Sequence, residues 1–152
     1  SVYRRTNIVK SEKFSEIMQR SINAYLNGML TNEEVIEEML KLAKQIAAAQ
    51  KEGDKLGLTA DELAFYDALT KPQAIKDFYE NDELIAITKE LADTLRRNKT
   101  IDWQKRESAR AKMRMLIKKL LKKHKYPPEG MDDAVQTVMT QCELWTDNVM
   151  EM

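Results

Sequence analysis

The chain has 152 residues, of which 43% are hydrophobic and 33% charged, enough for one domain that buries roughly 70% of its unfolded surface. Four glycines and three prolines are too few for the many turns of a β-sandwich or barrel. One cysteine, Cys142, and one histidine, His124, exclude an internal disulfide framework and a Cys/His zinc site within one chain. Without an apolar run of roughly 20 residues or a signal peptide, we expect a cytoplasmic protein with no membrane partner.

The net charge of zero hides an uneven distribution of charge along the chain. Residues 96–125 contain 13 Lys or Arg and only two acids, Asp102 and Glu107, so this segment carries a net charge of +11. The remainder of the chain carries −11. This split makes electrostatic contacts, inside the molecule or with a partner, more informative than the overall isoelectric point.

Helical periodicity marks the first two predicted elements. Apolar residues recur at three- and four-residue steps over residues 14–26 and predict one apolar face, and Gly28 then offers a helix stop. Thr31 and Glu34 have the spacing of a capping box. Apolar residues over 35–49 follow at alternating four- and three-residue steps, which is typical of a narrow coiled-coil seam.

The central elements are separated by clear stop signals. Glycines within residues 53–57 predict a break between helices. A second capping box, formed by Thr59 and Glu62, opens a helix over residues 61–69. Residues 75–79 predict a short helix or turn before the next long element.

Three longer helices are predicted in the C-terminal half. One covers residues 84–98, and a second runs over residues 103–125 with Asp102 as its N-cap. The Tyr-Pro-Pro sequence at residues 126–128 ends the second, because the residue before a proline avoids helical dihedral angles. The last helix carries an apolar stripe over residues 135–149.

These elements together predict the fold class. No segment shows sustained alternation with period two, so no strand is expected. We predict an all-α protein, a single compact bundle of five to six helices with short loops, forming one domain over residues 1–152. Helix pairs at the two ends of the chain would enclose the central segments.

The sequence carries no recognised catalytic motif. The glycine-rich loop that cradles nucleotide phosphates is absent, and residues 53–57 have the wrong spacing for it. The paired acids lie where helix starts and solvated faces explain them. Cys142 lies on an apolar stripe and His124 near a helix end among lysines, which favours a buried thiol and a surface or capping histidine. We predict no catalytic residue, metal ligand or cofactor for this chain itself.

The strongest functional signal is the basic segment predicted as the helix 103–125. Five basic residues lie four positions apart and form one ridge that winds around this helix. Arg106 and Arg110 fall on the apolar side of the helix, whereas Lys118 and Lys122 face away. The candidate partner- or phosphate-binding residues are Trp103, Arg106, Arg110, Arg114, Lys118 and Lys122.

Three interpretations of this ridge stay open. The arginines could pair with acids of neighbouring helices, since an unpaired buried guanidinium is costly. The ridge could dock onto an acidic surface of another protein. It could also contact phosphates of nucleic acid or of a nucleotide. Charge alone does not separate these interpretations.

Three motifs in this order also resemble a known family. They are L-T-A-D-E-L-A-F-Y-D-A-L at residues 58–69, D-W-Q-K-R-E at 102–107 with R-A at 110–111, and Y-P-P at 126–128. In combination they resemble the C-terminal helical domain of the motor (R) subunit of bacterial type I restriction enzymes. The resemblance covers nearly the whole chain.

This resemblance implies a function that periodicity alone does not. The parent subunit is expected to contain an endonuclease domain and two RecA-like ATPase domains that use ATP and Mg²⁺ to translocate DNA. The fragment itself would be non-catalytic and would attach this motor to a methyltransferase core of modification (M) and specificity (S) subunits. Its expected partners are these subunits, other domains of the R subunit and, weakly, duplex DNA. The alternative is a phosphate-contacting module that binds duplex DNA or a nucleotide through the basic helix 103–125.

Overall fold

The structure, a computed structural model, describes residues 7–150, with side chains described for residues 7–144. The described chain forms eight α-helices and one short 3-10 helix and contains no strand, which confirms the all-α prediction. Six of the helices have ten or more residues, and two short helices add to the five or six predicted. The helices are α1 Ile8–Leu26, α2 Asn32–Gln50, α3 Glu52–Leu56, α4 Ala60–Leu69, α5 Gln73–Phe78, α6 Asn81–Asn98, α7 Glu107–Lys123 and α8 Pro128–Met150, with the 3-10 helix Trp103–Lys105.

Both predicted capping boxes are present and fix the starts of α2 and α4. The Thr31 hydroxyl accepts from the Glu34 amide at 3.1 Å, and the Glu34 carboxylate accepts from the Thr31 amide at 2.9 Å. Thr59 and Glu62 repeat this arrangement at the same distances. Each cap contributes about 1 kcal/mol, so these boundaries follow from local sequence.

The hydrophobic core lies among α4, α6, α7, α8 and the 3-10 helix. Helix α4 is buried over residues 63–69, because α6, α8 and α1 pack around it. None of the described helices is long and apolar enough to cross a bilayer. The largest fully buried apolar side chains are Trp103, Phe65, Leu69, Leu91, Leu95, Met113, Ile117, Leu121, Met139 and Val138.

Helices α1 and α2 form a hairpin that packs mainly on itself. Phe14 and Ile17 are half-buried, whereas Met18, Ile22 and Leu26 are exposed. The apolar residues predicted over residues 14–26 do share one side of α1, but this side is only partly covered, and it divides into a covered and an uncovered stripe. The physical reason is that α1 contacts α4 less extensively than α2, which is its main neighbour among the described residues.

A polar network fastens the base of this hairpin to the core. The Asn7 amide donates to Asp67 Oδ2 at 2.7 Å, and Lys10 Nζ lies 3.2 Å from the same oxygen and 2.7 Å from Glu52 Oε2. The backbone amide at the start of α1 donates to the buried side chain of Gln141 in α8 at 2.9 Å. Residues from α1, α3, α4 and α8 thus meet at one point.

The break predicted at residues 53–57 contains the short helix α3. Gly57 ends this helix with a φ of 73°, a left-handed conformation that favours glycine. Gly53 is buried, and a Cβ at this position would lie 2.8 Å from the Leu58 carbonyl oxygen. The two glycines therefore allow a tight connection rather than an open loop.

The predicted helix over 103–125 is divided, which corrects the sequence-based boundary. Residues Trp103–Lys105 form a 3-10 turn, Arg106 is extended with φ −113° and ψ 121°, and α7 begins only at Glu107. Asp102 does not cap α7 but adopts a left-handed φ of 56°. This break allows Trp103 to be completely buried, and burying an indole is worth more than the roughly 1–2 kcal/mol that one left-handed residue costs.

Candidate partner-binding face

Helix α7 is anchored to the core along one side. Met113, Ile117, Leu120 and Leu121 are buried, and they face α6 and α8. Because each helical residue advances by about 100°, Met115 lies about 160° around the helix from Ile117. Met115 is 62% exposed. The side of α7 that faces away from the core therefore has an apolar centre.

Four lysines surround this exposed methionine. Lys112, Lys118, Lys119 and Lys122 all project from the solvent side of the helix and are exposed. Among residues 7–144, none of these four ammonium groups takes part in an ion pair. We call the surface formed by Lys112, Met115, Lys118, Lys119 and Lys122 the basic face of α7.

The predicted arginine ridge is not continuous, because its first residues lie in different environments. Arg110 donates from Nη1 to Glu143 of α8, and its Nε lies 4.0 Å from Glu107. The interpretation of internal pairing therefore holds for Arg110. Arg106 precedes α7 and is exposed, and its Nη2 donates to the Thr100 hydroxyl at 2.6 Å.

The other predicted site residues are divided between core and surface. Trp103 has no exposed surface, so in this conformation it packs the core and offers no ring face for stacking. Arg114 is half-buried, whereas Lys118 and Lys122 are exposed. A binding role for the six predicted residues stays a prediction.

A groove lined by both apolar and polar residues lies where the 3-10 helix meets the start of α7. Its volume is about 320 Å³, and Arg106 and Lys112 line it together with Thr100 and Ser108, above the buried Trp103. Two cationic side chains therefore converge beside hydroxyl groups, an arrangement that suits an anion. Arg110, which pairs with Glu143, does not line this groove.

The C-terminal end of α7 is neutralised by an acid from α6. Glu90 Oε2 lies 2.9 Å from Lys123 Nζ, and Glu90 Oε1 lies 2.8 Å from His124 Nε2. Hydrogen bonds from these two groups lower the pKa of Glu90. His124 also occupies the C-cap position of α7, which confirms the expected capping or surface role.

Cys142 is buried on α8, as the sequence predicts. Burial raises the pKa of its thiol to about 11, so the reactive thiolate form is disfavoured. Across the part of the chain with described side chains, no three His, Cys, Asp or Glu residues converge in a way that would hold a metal ion.

Sequence reasoning found part of the basic face and missed the rest. Lys118 and Lys122 were predicted, but Lys112, Met115 and Lys119 were not. Residues four apart drift by about 40° per step, so the predicted ridge crosses from the core side of α7 to its solvent side. A helical wheel centred on the buried positions, rather than a search along the four-residue ridge, would have identified all five.

A compact helical domain with a lysine-rich face, and no strand in its described part, is consistent with the family that its motifs resemble. Residues 1–148 match the family described as Type I restriction enzyme HindI endonuclease subunit-like, C-terminal. The chain belongs to this family, which confirms the resemblance. It is thus a C-terminal domain of the endonuclease subunit class of type I restriction enzymes.

Two curated relatives show how much of such a subunit the chain represents. It is 39% identical over 138 residues to the Type I restriction enzyme HindI endonuclease subunit of Haemophilus influenzae, which covers 91% of this chain and 13% of that protein. It is 37% identical over 128 residues to the putative type I restriction enzyme MjaIXP endonuclease subunit of Methanocaldococcus jannaschii, covering 84% and 12%. The chain therefore spans about an eighth of the length of these relatives. No solved structure matches it.

Proposed function

We propose that this domain is a non-catalytic assembly module of a type I restriction endonuclease subunit. It docks the ATP-dependent, DNA-translocating part of that subunit onto the methyltransferase core of M and S subunits. ATP hydrolysis and DNA cleavage, with ATP and Mg²⁺ as cofactors, belong in this proposal to other parts of the subunit. The span of about an eighth of the curated relatives supports this division of labour.

The basic face of α7 is the surface that carries the proposal. Its four lysines have no ionic partner among residues 7–144, and Met115 at their centre is 62% exposed. An apolar anchor inside a ring of like charges suits an acidic partner surface with an apolar pocket. The lysines would steer the encounter, and burial of the anchor would supply affinity.

The close packing of α7 against the core supports a role in which the domain bears a mechanical load. Ile117 and Leu121 have no exposed surface, and Met113 has almost none. The Arg110–Glu143 ion pair ties the first half of α7 to α8. A closely packed helix deforms little, so a pull applied at its outer face would be transmitted to the core.

A charge-reversal experiment on the full-length endonuclease subunit tests the proposal. Lys112→Glu, Lys118→Glu and Lys119→Glu together should abolish co-elution with the M/S core at physiological salt. Like charges across an interface cost several kcal/mol, which corresponds to about a hundredfold or greater loss of affinity. Because the three side chains are exposed and lie outside the last turn of α7, far-ultraviolet circular dichroism should not change.

A matched variant controls for the change in total charge. Lys51→Glu, Lys55→Glu and Lys89→Glu alter the net charge equally, at exposed positions outside α7. This control should still co-elute with the core. Equal assembly of both variants would remove the basic face from the interface, and equal loss would assign the effect to bulk charge.

A second function is favoured by the groove that Arg106 and Lys112 line. If this groove and the neighbouring lysines bind phosphates, the domain should bind duplex DNA with a steep salt dependence. Engagement of four cations predicts a slope of about −3 to −4 for log affinity against log salt concentration. A nucleotide ligand would instead raise the melting temperature when ATP is added. Tight DNA binding without any binding to the M/S core would favour this second function.

A further inference from the structure

The hairpin of α1 and α2 exposes an unusual amount of apolar surface. Ten large hydrophobic side chains are exposed among the described residues, and seven of them lie on this hairpin or its connection. Contiguous exposed apolar surface in a soluble domain marks an interaction site more often than chance. The seven are Met18, Ile22, Tyr25, Leu26, Met29, Ile36 and Leu40.

The exposed residues form one stripe on each helix. On α1, Met18, Ile22 and Leu26 repeat at four-residue steps, and the centre of this stripe lies about 110° around the helix from the centre of the half-buried Phe14 and Ile17. This stripe adjoins the side of α1 that packs against α2. Within the described part of the chain its three side chains remain 38–72% exposed.

Helix α2 carries a second stripe of the same kind. Ile36, Leu40, Ala43 and Ala47 follow at four- and three-residue steps and are exposed, between about 100° and 160° around the helix from the buried Leu42. On both helices, the exposed stripe is rotated away from the buried side in the same sense, which is the sense in which the helix turns as the residue number increases. In an antiparallel pair joined by the short connection 27–31, this places both stripes on the same side of the hairpin.

The hairpin therefore presents both apolar stripes on one side. We call the surface formed by Met18, Ile22, Leu26, Ile36, Leu40, Ala43 and Ala47 the hairpin face. From Ile36 to Ala47 it extends about 16 Å at 1.5 Å per residue, so a helix of about 11 residues would cover it. Large side chains lie toward the tip and alanines toward the base.

Charges at the edge of the hairpin face restrict what can cover it. Glu33 and Glu37 flank the α2 stripe near the tip, and Lys44 flanks it toward the base. A complementary helix therefore has an apolar face, with basic residues at the end that meets the tip.

At the base of the hairpin lies a cavity of about 590 Å³, lined by Phe14, Ile46 and other residues of α1 to α4.

Most of a subunit of this class lies outside these 152 residues, since the chain spans about an eighth of its curated relatives and matches a C-terminal family. The hairpin contains the first helices of the chain and is nearest in sequence to that remainder. We propose that the hairpin face packs against an amphipathic helix from the preceding part of the same endonuclease subunit. This inference rests on family membership and not on the docking role of α7.

Hydrogen exchange in the full-length subunit tests this packing. Ile36→Glu and Leu40→Glu should raise amide exchange across residues 18–47 at least tenfold, because an ionised carboxylate cannot be buried against the covering helix. One segment of the preceding region should lose protection in the same variant, which would locate that helix. Lys41→Glu and Gln45→Glu, exposed on the other side of α2, should change neither.

Each alternative occupant gives a different result in the same experiment. If the face variant exchanges like the Lys41/Gln45 control in the subunit alone, the hairpin face is open there and the proposal fails. A difference that emerges only after the M/S core is added would assign the face to another subunit. A difference that grows with subunit concentration would assign it to a second copy. Both of these results would also overturn the proposal.

Discussion

At the scale of single residues, Asp67 is a carboxyl group that the fold buries where α1 meets α4. Burial raises its pKa, although Lys10 and the Asn7 amide lie within 3.2 Å and oppose the shift. For Lys10, burial opposes the charged form, but Glu52 and Asp67 outweigh it and the pKa is raised. The network therefore stabilises the lysine charge more completely than it stabilises the Asp67 charge.

The raised pKa of Asp67 predicts a specific pH dependence. Just above the ordinary titration range of aspartate, the folded state holds more protons at this site than the unfolded state, so Asp67 lowers the stability as pH rises. In Asp67→Asn this contribution is absent. Between about pH 4 and 6, urea unfolding measures the free energy of unfolding of both proteins. As pH rises, this free energy should increase more, or decrease less, in the variant than in the wild type. Parallel curves would contradict the assignment.

Tyr126 offers a second prediction at this scale. Its hydroxyl donates to the Leu69 carbonyl at 2.6 Å in a buried position, and burial raises its pKa to about 12. Tyr126→Phe leaves that carbonyl without its partner, which should cost about 1–2 kcal/mol and lower the melting temperature by a few degrees. Tyr25→Phe, on the exposed hairpin, is the control and should change the melting temperature much less. An equal effect of the two would show that the buried bond contributes nothing specific.

At the scale of elements, local signals fixed some boundaries and long-range packing fixed others. The helix starts at Thr31 and Thr59 were predictable because each cap joins residues three positions apart. The split before α7 was not, because burial of Trp103 imposes the left-handed Asp102 and the extended Arg106. In the hairpin, periodicity identified the apolar residues of α1 but could not indicate which stripe would find a neighbour.

The residues of the candidate site divide in the same way, into those that the local sequence identifies and those that depend on long-range packing. The solvent-facing positions of Lys118 and Lys122 could be predicted from the sequence, because an exposed lysine side chain needs no partner elsewhere in the chain. Pairing of Arg110 with an acid of a neighbouring helix was one of the interpretations that the sequence left open, but its partner, Glu143, lies 33 residues away in sequence. Such a pairing depends on how α7 meets α8, and neither composition nor spacing contains that information.

The connection between α3 and α4 gives a prediction at the scale of elements. Gly53→Ala would place a Cβ 2.8 Å from the Leu58 carbonyl oxygen, which is backbone and cannot rotate away. The backbone must shift, and we expect a loss of about 1–3 kcal/mol in the free energy of unfolding. Ala48→Gly, at an exposed position of α2, is the control and should cost about 1 kcal/mol or less. A Gly53→Ala variant as stable as the wild type would show that the connection is not tightly packed.

At the scale of the whole molecule, the uneven charge of the sequence has a structural explanation. Part of the positive segment is neutralised internally, by Glu143 at Arg110 and by Glu90 at the end of α7. Four of the other basic residues of this segment, Lys112, Lys118, Lys119 and Lys122, form the basic face of α7. The hairpin face is mainly apolar, so the domain carries two surfaces of different character on elements attached to one core, which is what the proposed coupling role requires.

Titration calorimetry of this chain against the purified M/S core tests the coupling role most directly. We expect saturable binding that weakens as salt is raised. The Lys112, Lys118 and Lys119 charge-reversal variant should lose it, and the Lys51, Lys55 and Lys89 variant should retain it. Absence of binding by the wild-type chain, or the same dissociation constant for the wild type and the α7 variant, would contradict the account.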